Sequence, residues 1–282
     1  MKPIKFTCDS ACDLTAQLYQ KYAIAPVPLQ IWLGCTSLQD GVTASPADVY
    51  AYVDQTGKLP PVEPPTAADY AQVFSFYLRQ GYQIIHISLS GTVSAFYRNA
   101  CDAARTLSDV AVVDSCNVSS GAGHLAILGV ELSHAGLDAR EILRALEDMK
   151  QRLTTCFLLD SPAYLEKFSR GSALALLGCH LRKKRPSLLV NRGKLALGQA
   201  FAGDWDHALT AFLRSQLENA AHIQHDRLFV THTGLAPDKL SRALGLIREL
   251  QSFDDILVTT AGCFASRQGG PGCLGIHYLR TA

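Results

Sequence analysis

Hydrophobic and polar residues follow two alternating periods along the first half of the chain. Short apolar runs predict buried strands at residues 4–8, 83–89 and 110–115. Helical periodicity predicts helices between and after them, at residues 13–22, 64–81, 93–107, 120–134 and 138–153. Strand and helix alternating in this way predict a parallel sheet that is covered by helices on both faces.

The helix predicted at residues 64–81 has the strongest pattern. Its apolar side chains recur at helical spacing, at Tyr70, Val73, Phe74, Tyr77 and Leu78. Thr66 stands at the N-cap position with Asp69 three residues later, and Gly81 follows the last turn. We therefore expect a capped helix that begins at Thr66.

The second half of the chain has a different pattern. Closely spaced strand-like segments are joined by helices in some places only, notably at residues 206–221 and 236–251. A hairpin is predicted around residues 191–193, which read Asn-Arg-Gly. The prediction is an α/β fold with two domains: an N-terminal, Rossmann-like parallel-sheet domain at residues 1–150, and a C-terminal mixed-sheet α/β domain at residues 151–282.

Composition and charge exclude several classes of protein. Lys and Arg total 26 against 25 Asp and Glu, so the chain lacks the basic excess that nucleic-acid binding needs. No apolar run approaches the roughly 20 residues of a membrane span, and the first residues do not form a signal peptide. These features predict a cytoplasmic protein. In that compartment, most of the nine cysteines should be small buried side chains rather than disulfide partners.

Two hydroxyl-bearing segments are candidates for ligand binding. The segment HISLSGTVSA, residues 86–95, places Ser88, Ser90, Gly91 and Thr92 between a strand end and a helix start, and Thr66 opens another helix. Helix N-termini carry unpaired N–H groups that hold anions, so Thr66 and Ser90 together could bind one carboxylate or phosphate. Spacing alone favours the alternative that both residues simply cap their own helices.

Other motifs carry weaker signals. The glycine-rich segment at 269–275 precedes a strand-like run rather than a helix, so we reject a nucleotide site there. Cys8 and Cys12 have no second pair with metal-site spacing, which favours structural thiols. No nucleophile and base can be paired from spacing, so no catalytic residue, cofactor or metal is predicted. The basic run at 182–185 is either a solvated loop or a docking site for an acidic partner.

Seven segments follow one another in order along the whole chain: CDSACDL (8–14), VPLQIWLGCTSLQDG (27–41), PPTAADY (64–70), SLSGT (88–92), VVDSCNVSSGAG (112–123), AYLEKFSRG (163–171) and QGGPGCLG (268–275). Taken together they resemble the DegV family of bacterial fatty-acid-binding proteins, also called FakB proteins. CDSACDL is similar to the family's opening Asp-Ser-x-x-Asp-Leu, and SLSGT to its Leu-Ser-Gly-Thr.

The resemblance implies that the protein buries the acyl chain of one long-chain fatty acid and has no catalysis of its own. A fatty acid kinase would then convert the presented carboxylate to an acyl phosphate. It implies head-group contacts from Thr66 and Ser90, with Ser88, Gly91 and Thr92 in the same loop. Family analogy also suggests Arg170, Arg182 and Lys183 as residues that dock the kinase.

Some positions depart from the family pattern. Gln268 stands where the family has a histidine, and a Gln amide can donate a hydrogen bond to a carboxylate but has no proton to gain. Ala67 replaces a usual serine, and Phe168 and Ser169 replace a glycine pair. Two classes of function therefore stay open: a lipid carrier, and a small-anion or lipid sensor or enzyme that uses the same cleft.

Overall fold

A computed structural model describes residues 2–161, 163–164, 184–218 and 221–281. The described elements of the first half are, in chain order, β1 (Ile4–Asp9), α1 (Ala16–Lys21), β2 (Ala25–Val27), β3 (Gln30–Leu33), β4 (Thr36–Gln39), α2 (Pro46–Thr56), β5 (Val62–Glu63), α3 (Ala67–Leu78), β6 (Gln83–Ser88), α4 (Phe96–Ala104), β7 (Val110–Asp114), α5 (Ser120–His134) and α6 (Ala139–Arg152). Those of the second half are β8 (Leu153–Leu158), β9 (Lys184–Asn191), β10 (Lys194–Ala202), α7 (Trp205–Leu217), β11 (Ile223–His232), α8 (Pro237–Leu250), β12 (Asp255–Thr260), α9 (Cys263–Gly269) and β13 (Leu274–Arg280).

The first half forms a parallel sheet of four strands in the order β2-β1-β6-β7. α3 and α4 cover one face, where Tyr70 and Phe74 pack with Ile84 and Ala100. α5 and α6 cover the other face. Burial on both sides accounts for the unbroken apolar runs that predicted these strands. The predicted parallel sheet is confirmed.

The second half forms a mixed sheet of six strands in the order β10-β9-β8-β13-β11-β12. β11 and β12 are parallel and the other neighbours are antiparallel. α7 and α8 pack on one face, against side chains such as Leu228 and Ile276. The other face is turned toward α5 of the first half. The predicted mixed sheet and the hairpin at 191–193 are confirmed.

Four features of the fold were not predicted, and the first is β2, the three-residue edge strand of the parallel sheet. A small antiparallel sheet, β4-β3-β5, and the helix α2 fill residues 30–63, and α9 lies just before the glycine-rich turn. The strands of the small sheet have two to four residues, which is too short to show a clear period. α9 has seven residues, and its first N–H groups are bonded by carboxylates from the other half of the chain.

Candidate functional site

The loop between β6 and α4, residues 89–95, contains Ser90 and is called the Ser90 loop. It lies beneath the β9–β10 hairpin. The Ser90 hydroxyl is fully buried and lies 3.0 Å from the Thr92 hydroxyl, and Thr92 Oγ1 donates a 2.6 Å hydrogen bond to the carbonyl of Gly193. Gly193 has φ +80°, and a Cβ there would come within 2.5 Å of Ser90 Oγ. Glycine at the turn therefore allows the hairpin of the second half to close on the Ser90 loop of the first.

Ser88 and Gly91 have separate partners within the first half. Ser88 Oγ donates to Asp9 Oδ2 at 3.0 Å, and the backbone N–H of Leu89 donates to the same oxygen at 2.8 Å. The N–H of Gly91 lies 3.3 Å from both carboxylate oxygens of Asp114. Asp9 and Asp114 therefore fix the two ends of this loop.

Thr66 adopts the capping geometry that its spacing predicts. Its Oγ1 accepts a hydrogen bond from the N–H of Asp69 at 3.2 Å, and its own backbone N–H donates to Asp69 Oδ2 at 2.8 Å, which completes a capping box. The Thr66 hydroxyl also donates to Asp69 Oδ2, at 2.7 Å. Thr66 is exposed, whereas Ser90 is buried. Asn99 of α4 donates a 2.8 Å hydrogen bond to the carbonyl of Pro65, so α4 is bonded to the residue just before Thr66. The two hydroxyls face different partners, and their sharing of one anion stays a prediction.

Gln268 lines a narrow apolar cavity between α9, the start of α5 and the second sheet. Its empty space, counting the part that is open to solvent, is about 520 Å³. The walls are mostly carbon and include Val118, Phe157, Leu159, Leu188, Leu195, Ala261, Phe264, Ala265, Cys273 and Gly275. Phe264 also packs edge to face on Phe96, the first residue of α4, with ring centroids 5.6 Å apart. The cavity therefore begins close to the helix that follows the Ser90 loop.

The cavity has four polar side chains on its wall, and three have internal partners. Ser119 Oγ donates to Asp13, Thr231 Oγ1 donates to Ser120, and Thr233 Oγ1 donates to the carbonyl of Gly270. Gln268 is 7% exposed, and its amide makes no hydrogen bond with any described residue. Bonding a ligand would therefore cost Gln268 no internal hydrogen bond, and among these four side chains it is the one best placed to do so.

Two carboxylates of the first half hold the N-terminus of α9. Asp13 Oδ1 accepts from the N–H of Gly262 at 2.8 Å, and Asp40 Oδ1 accepts from the N–H of Cys263 at 2.9 Å. Burial raises the pKa of Asp13 to about 7, against the lowering effect of hydrogen bonds from Ser119 and Gly262. Asp13 and Asp40 lie in segments that resemble the family, but their roles were not predicted from the sequence. Their partners are more than 200 residues away along the chain, so no local signal could show it.

The described residues contain no group of three or more His, Cys, Asp and Glu side chains that could hold a metal ion. Cys8 and Cys12 are both fully buried, and burial, followed by the neighbouring Cys8 thiol, raises the pKa of Cys12 well above its ordinary value. A protonated buried thiol packs as a small apolar side chain. Within the described parts of the chain, no helix has the length and apolarity to cross a bilayer.

The basic residues proposed for docking fall mostly outside the described residues. Arg170, Arg182 and Lys183 are not described, and their role stays a prediction. Arg185 is described, and its guanidinium bonds Asp160 Oδ1 at 3.1 Å and the carbonyl of Gly203 at 2.6 Å. Arg185 therefore makes structural contacts within the second half of the chain.

Comparisons with known proteins agree with the fold. A family model described as "Uncharacterised protein, DegV family" matches residues 3–281. A DegV domain-containing protein of Clostridium acetobutylicum is 33% identical over 72% of this chain and 74% of its own. The match to one from Clostridium perfringens, 27% identical, covers 62% of each chain.

Solved structures with the same fold have low sequence identity to this chain. A fatty-acid-binding DegV family protein from Thermus thermophilus superposes with a TM-score of 0.86, at 23% identity, over 99% of this chain and 100% of its own. A stearic-acid-binding protein from Eubacterium ventriosum gives a TM-score of 0.87, at 20% identity, over 98% of each chain. The family model's match to nearly all of the sequence is the finding that assigns the family: the chain belongs to the DegV family.

Proposed function

We propose that this protein binds one long-chain fatty acid, with the acyl chain in the cavity beside α9 and the carboxylate at Gln268. The observation that carries the proposal is the cavity itself, which combines apolar walls with one amide that lacks a partner among the described residues. The fatty-acid-binding proteins that share the fold support the same class of ligand. Burying each CH₂ of an acyl chain contributes about 0.8 kcal/mol, so few polar contacts are needed.

The remaining head-group contacts are proposed from family resemblance. Ser90 would bond the carboxylate by exchanging its contact with Thr92, and Thr66 by exchanging its contact with Asp69. Ser88, the last residue of β6, and Gly91 and Thr92 of the following loop would position Ser90. The closed hairpin at Gly193 covers this loop, so binding in this mode requires the hairpin to shift.

The proposed place of the protein in metabolism is that of a carrier in the cytoplasm, without catalysis or cofactor of its own. It would present the bound carboxylate to a fatty acid kinase for acyl-phosphate formation, and Arg170, Arg182 and Lys183 would contribute to docking. Reversing these three charges should slow association with the kinase most clearly at low salt. An unchanged association rate in a direct binding assay would refute the docking role.

Mass spectrometry of lipids extracted from gently purified protein tests the carrier proposal. We expect a long-chain fatty acid at close to one molecule per chain. In the variant Ala265→Phe, the larger side chain fills part of the cavity and should remove the bound acid, whereas Val42→Phe at an exposed site should not. Recovery of a small polar anion in place of a lipid would favour the alternative of a small-anion sensor.

A further inference from the structure

The sheet face that borders the cavity continues into a row of polar side chains. Gly275 and His277 of β13 lie on the same face because they are two residues apart, and their partners on β8 are Phe157 and Thr155. Gly275 and Phe157 are part of the cavity wall. His277 therefore lies one position behind the wall, on the side that faces α5.

His277 is fully buried with one ring nitrogen unpaired. Its Nδ1 lies 2.9 Å from Thr155 Oγ1, and its Nε2 has no hydrogen-bond partner among the described residues. A Cβ added to Gly275 would lie 3.2 Å from this Nε2 and 2.5 Å from the edge of the Phe157 ring. The nitrogen and the ring edge therefore share the space that Gly275 leaves open beside the cavity.

Burial lowers the pKa of His277 to about 3, so the imidazole is neutral near pH 7. A neutral imidazole has one donor and one acceptor nitrogen. The Nε2 can therefore donate to a carbonyl or hydroxyl oxygen in one tautomer, and accept from a hydroxyl in the other.

An internal contact offers Nε2 a weak alternative. The His277 and Phe157 rings meet edge to face, with centroids 5.3 Å apart and planes at 78°. A contact between an N–H and a ring face is much weaker than a hydrogen bond to oxygen. Nε2 would therefore bond a nearby ligand oxygen in preference to the Phe157 ring.

We propose that His277 Nε2 is a hydrogen-bonding site for an oxygen carried on the acyl chain, and that the cavity selects hydroxylated or oxo-substituted long-chain fatty acids over unsubstituted ones. This inference rests on the proposed function, since it requires an acyl chain in the cavity. The Phe157 ring edge lies next to the space over Gly275, so this ring would have to rotate for the oxygen to reach Nε2.

Binding of two ligand types to three proteins tests the inference. The ligands are stearic acid and a series of hydroxystearic acids with the hydroxyl at successive mid-chain positions. The proteins, freed of lipid, are the wild type, His277→Phe and the control His124→Phe. His124 is also buried with an unpaired Nδ1, but it borders a separate hollow lined by Glu131 and Arg227.

The wild type should bind at least one hydroxystearic acid about three- to ten-fold more tightly than His277→Phe does, as expected for one hydrogen bond. The affinity for stearic acid should be the same in both, and His124→Phe should match the wild type. Equal losses for both ligands, or no loss for any hydroxystearic acid, would overturn the inference while the carrier proposal stands. Failure of the wild type to bind stearic acid or any hydroxystearic acid would instead overturn the carrier proposal, and the inference with it.

A measurement on the wild type alone covers the case in which His277→Phe fails to fold. The ¹⁵N resonance of His277 Nε2 should shift when the best-binding hydroxystearic acid is added and should stay in place with stearic acid. The same shift with both ligands, or no shift with either, would overturn the inference.

Discussion

At the residue scale, the proposed head-group site depends on side chains that differ in how firmly they are already bonded. Ser90 and Thr66 each have an internal hydroxyl or carboxylate partner, whereas Gln268 has no described partner. A ligand gains most from a group that has nothing to exchange, because no internal hydrogen bond is lost on binding. Gln268 is therefore the residue whose replacement should report most directly on the carboxylate.

Replacing Gln268 should change affinity by a predictable amount. Loss of a neutral hydrogen bond costs about 1 kcal/mol, so Gln268→Ala should weaken binding of a long-chain acid several-fold. Gln268→His should bind more tightly as pH falls below the pKa of the new imidazole, provided the ligand stays ionised. Titration of the acid into all three proteins from mildly acidic to mildly basic pH checks this. Three superimposable curves would show that residue 268 does not touch the head group.

Thr66 permits a test of capping against ligand binding. Thr66→Ala and Thr15→Ala each remove an N-cap hydroxyl, since Thr15 Oγ1 accepts from the N–H of Leu18 in α1. Both variants should lose about 1 kcal/mol of unfolding free energy in urea. Fatty-acid affinity should fall several-fold in Thr66→Ala alone. Equal affinity in the two variants would mean that Thr66 caps α3 but does not bond the carboxylate.

At the scale of elements, the β9–β10 hairpin joins the second half to the Ser90 loop through one turn residue. Gly193 has both a positive φ and a close contact with Ser90 Oγ. Gly34, in the turn between β3 and β4, has φ +66° and no atom within 4 Å of an added Cβ. Comparing an alanine variant at Gly193 with one at Gly34 therefore separates the cost of backbone strain from the cost of the contact with Ser90.

Gly34→Ala should lose about 1 kcal/mol of stability from strain alone. Gly193→Ala should lose more, because its Cβ must also displace Ser90 Oγ or lift the hairpin. Urea unfolding of the two variants gives the difference between them. Equal losses of unfolding free energy in the two variants would mean that the hairpin does not pack closely against the Ser90 loop.

The elements also show which parts of the fold local sequence could predict. α3 was predicted because Thr66, Asp69 and the apolar period all lie within one segment, and α5 and α6 match their predicted ranges closely. α9 was missed because its first N–H groups are bonded by Asp13 and Asp40 from far along the chain. The cavity was not predicted for the same reason. Its walls come from five strands of the second sheet, from α9 and from the residues just before α5, and no local spacing in the sequence brings these together.

At the scale of the whole molecule, Asp13 makes stability depend on pH. Its pKa is raised from an ordinary 3.8 to about 7, so between these values the folded protein holds a proton that the unfolded chain has lost. The contribution of Asp13 to stability is therefore full below about pH 4 and is lost as pH rises through about 7.

Asp13→Asn should remove this dependence. Relative to the variant, the wild type should lose unfolding free energy between pH 5 and pH 7, by up to about 1.4 kcal/mol per pH unit. Urea unfolding of both proteins across this range checks the slope. Parallel curves would mean that Asp13 is ionised throughout.

The contact between the two halves has a consequence for how the protein loses its structure. The hydroxyls of Ser120, Thr231 and Thr259 form a closed triangle with 2.8 Å edges, which joins the start of α5 to β11 and β12. Phe229 and Phe264 of the second half belong to the apolar core of the first. Neither sheet can melt without exposing the core of the other, so heating should show a single cooperative calorimetric transition whose van't Hoff and calorimetric enthalpies agree. Release of the proposed fatty-acid ligand by partial unfolding of one half would then be inaccessible, and its exchange would have to proceed through motions of the native state.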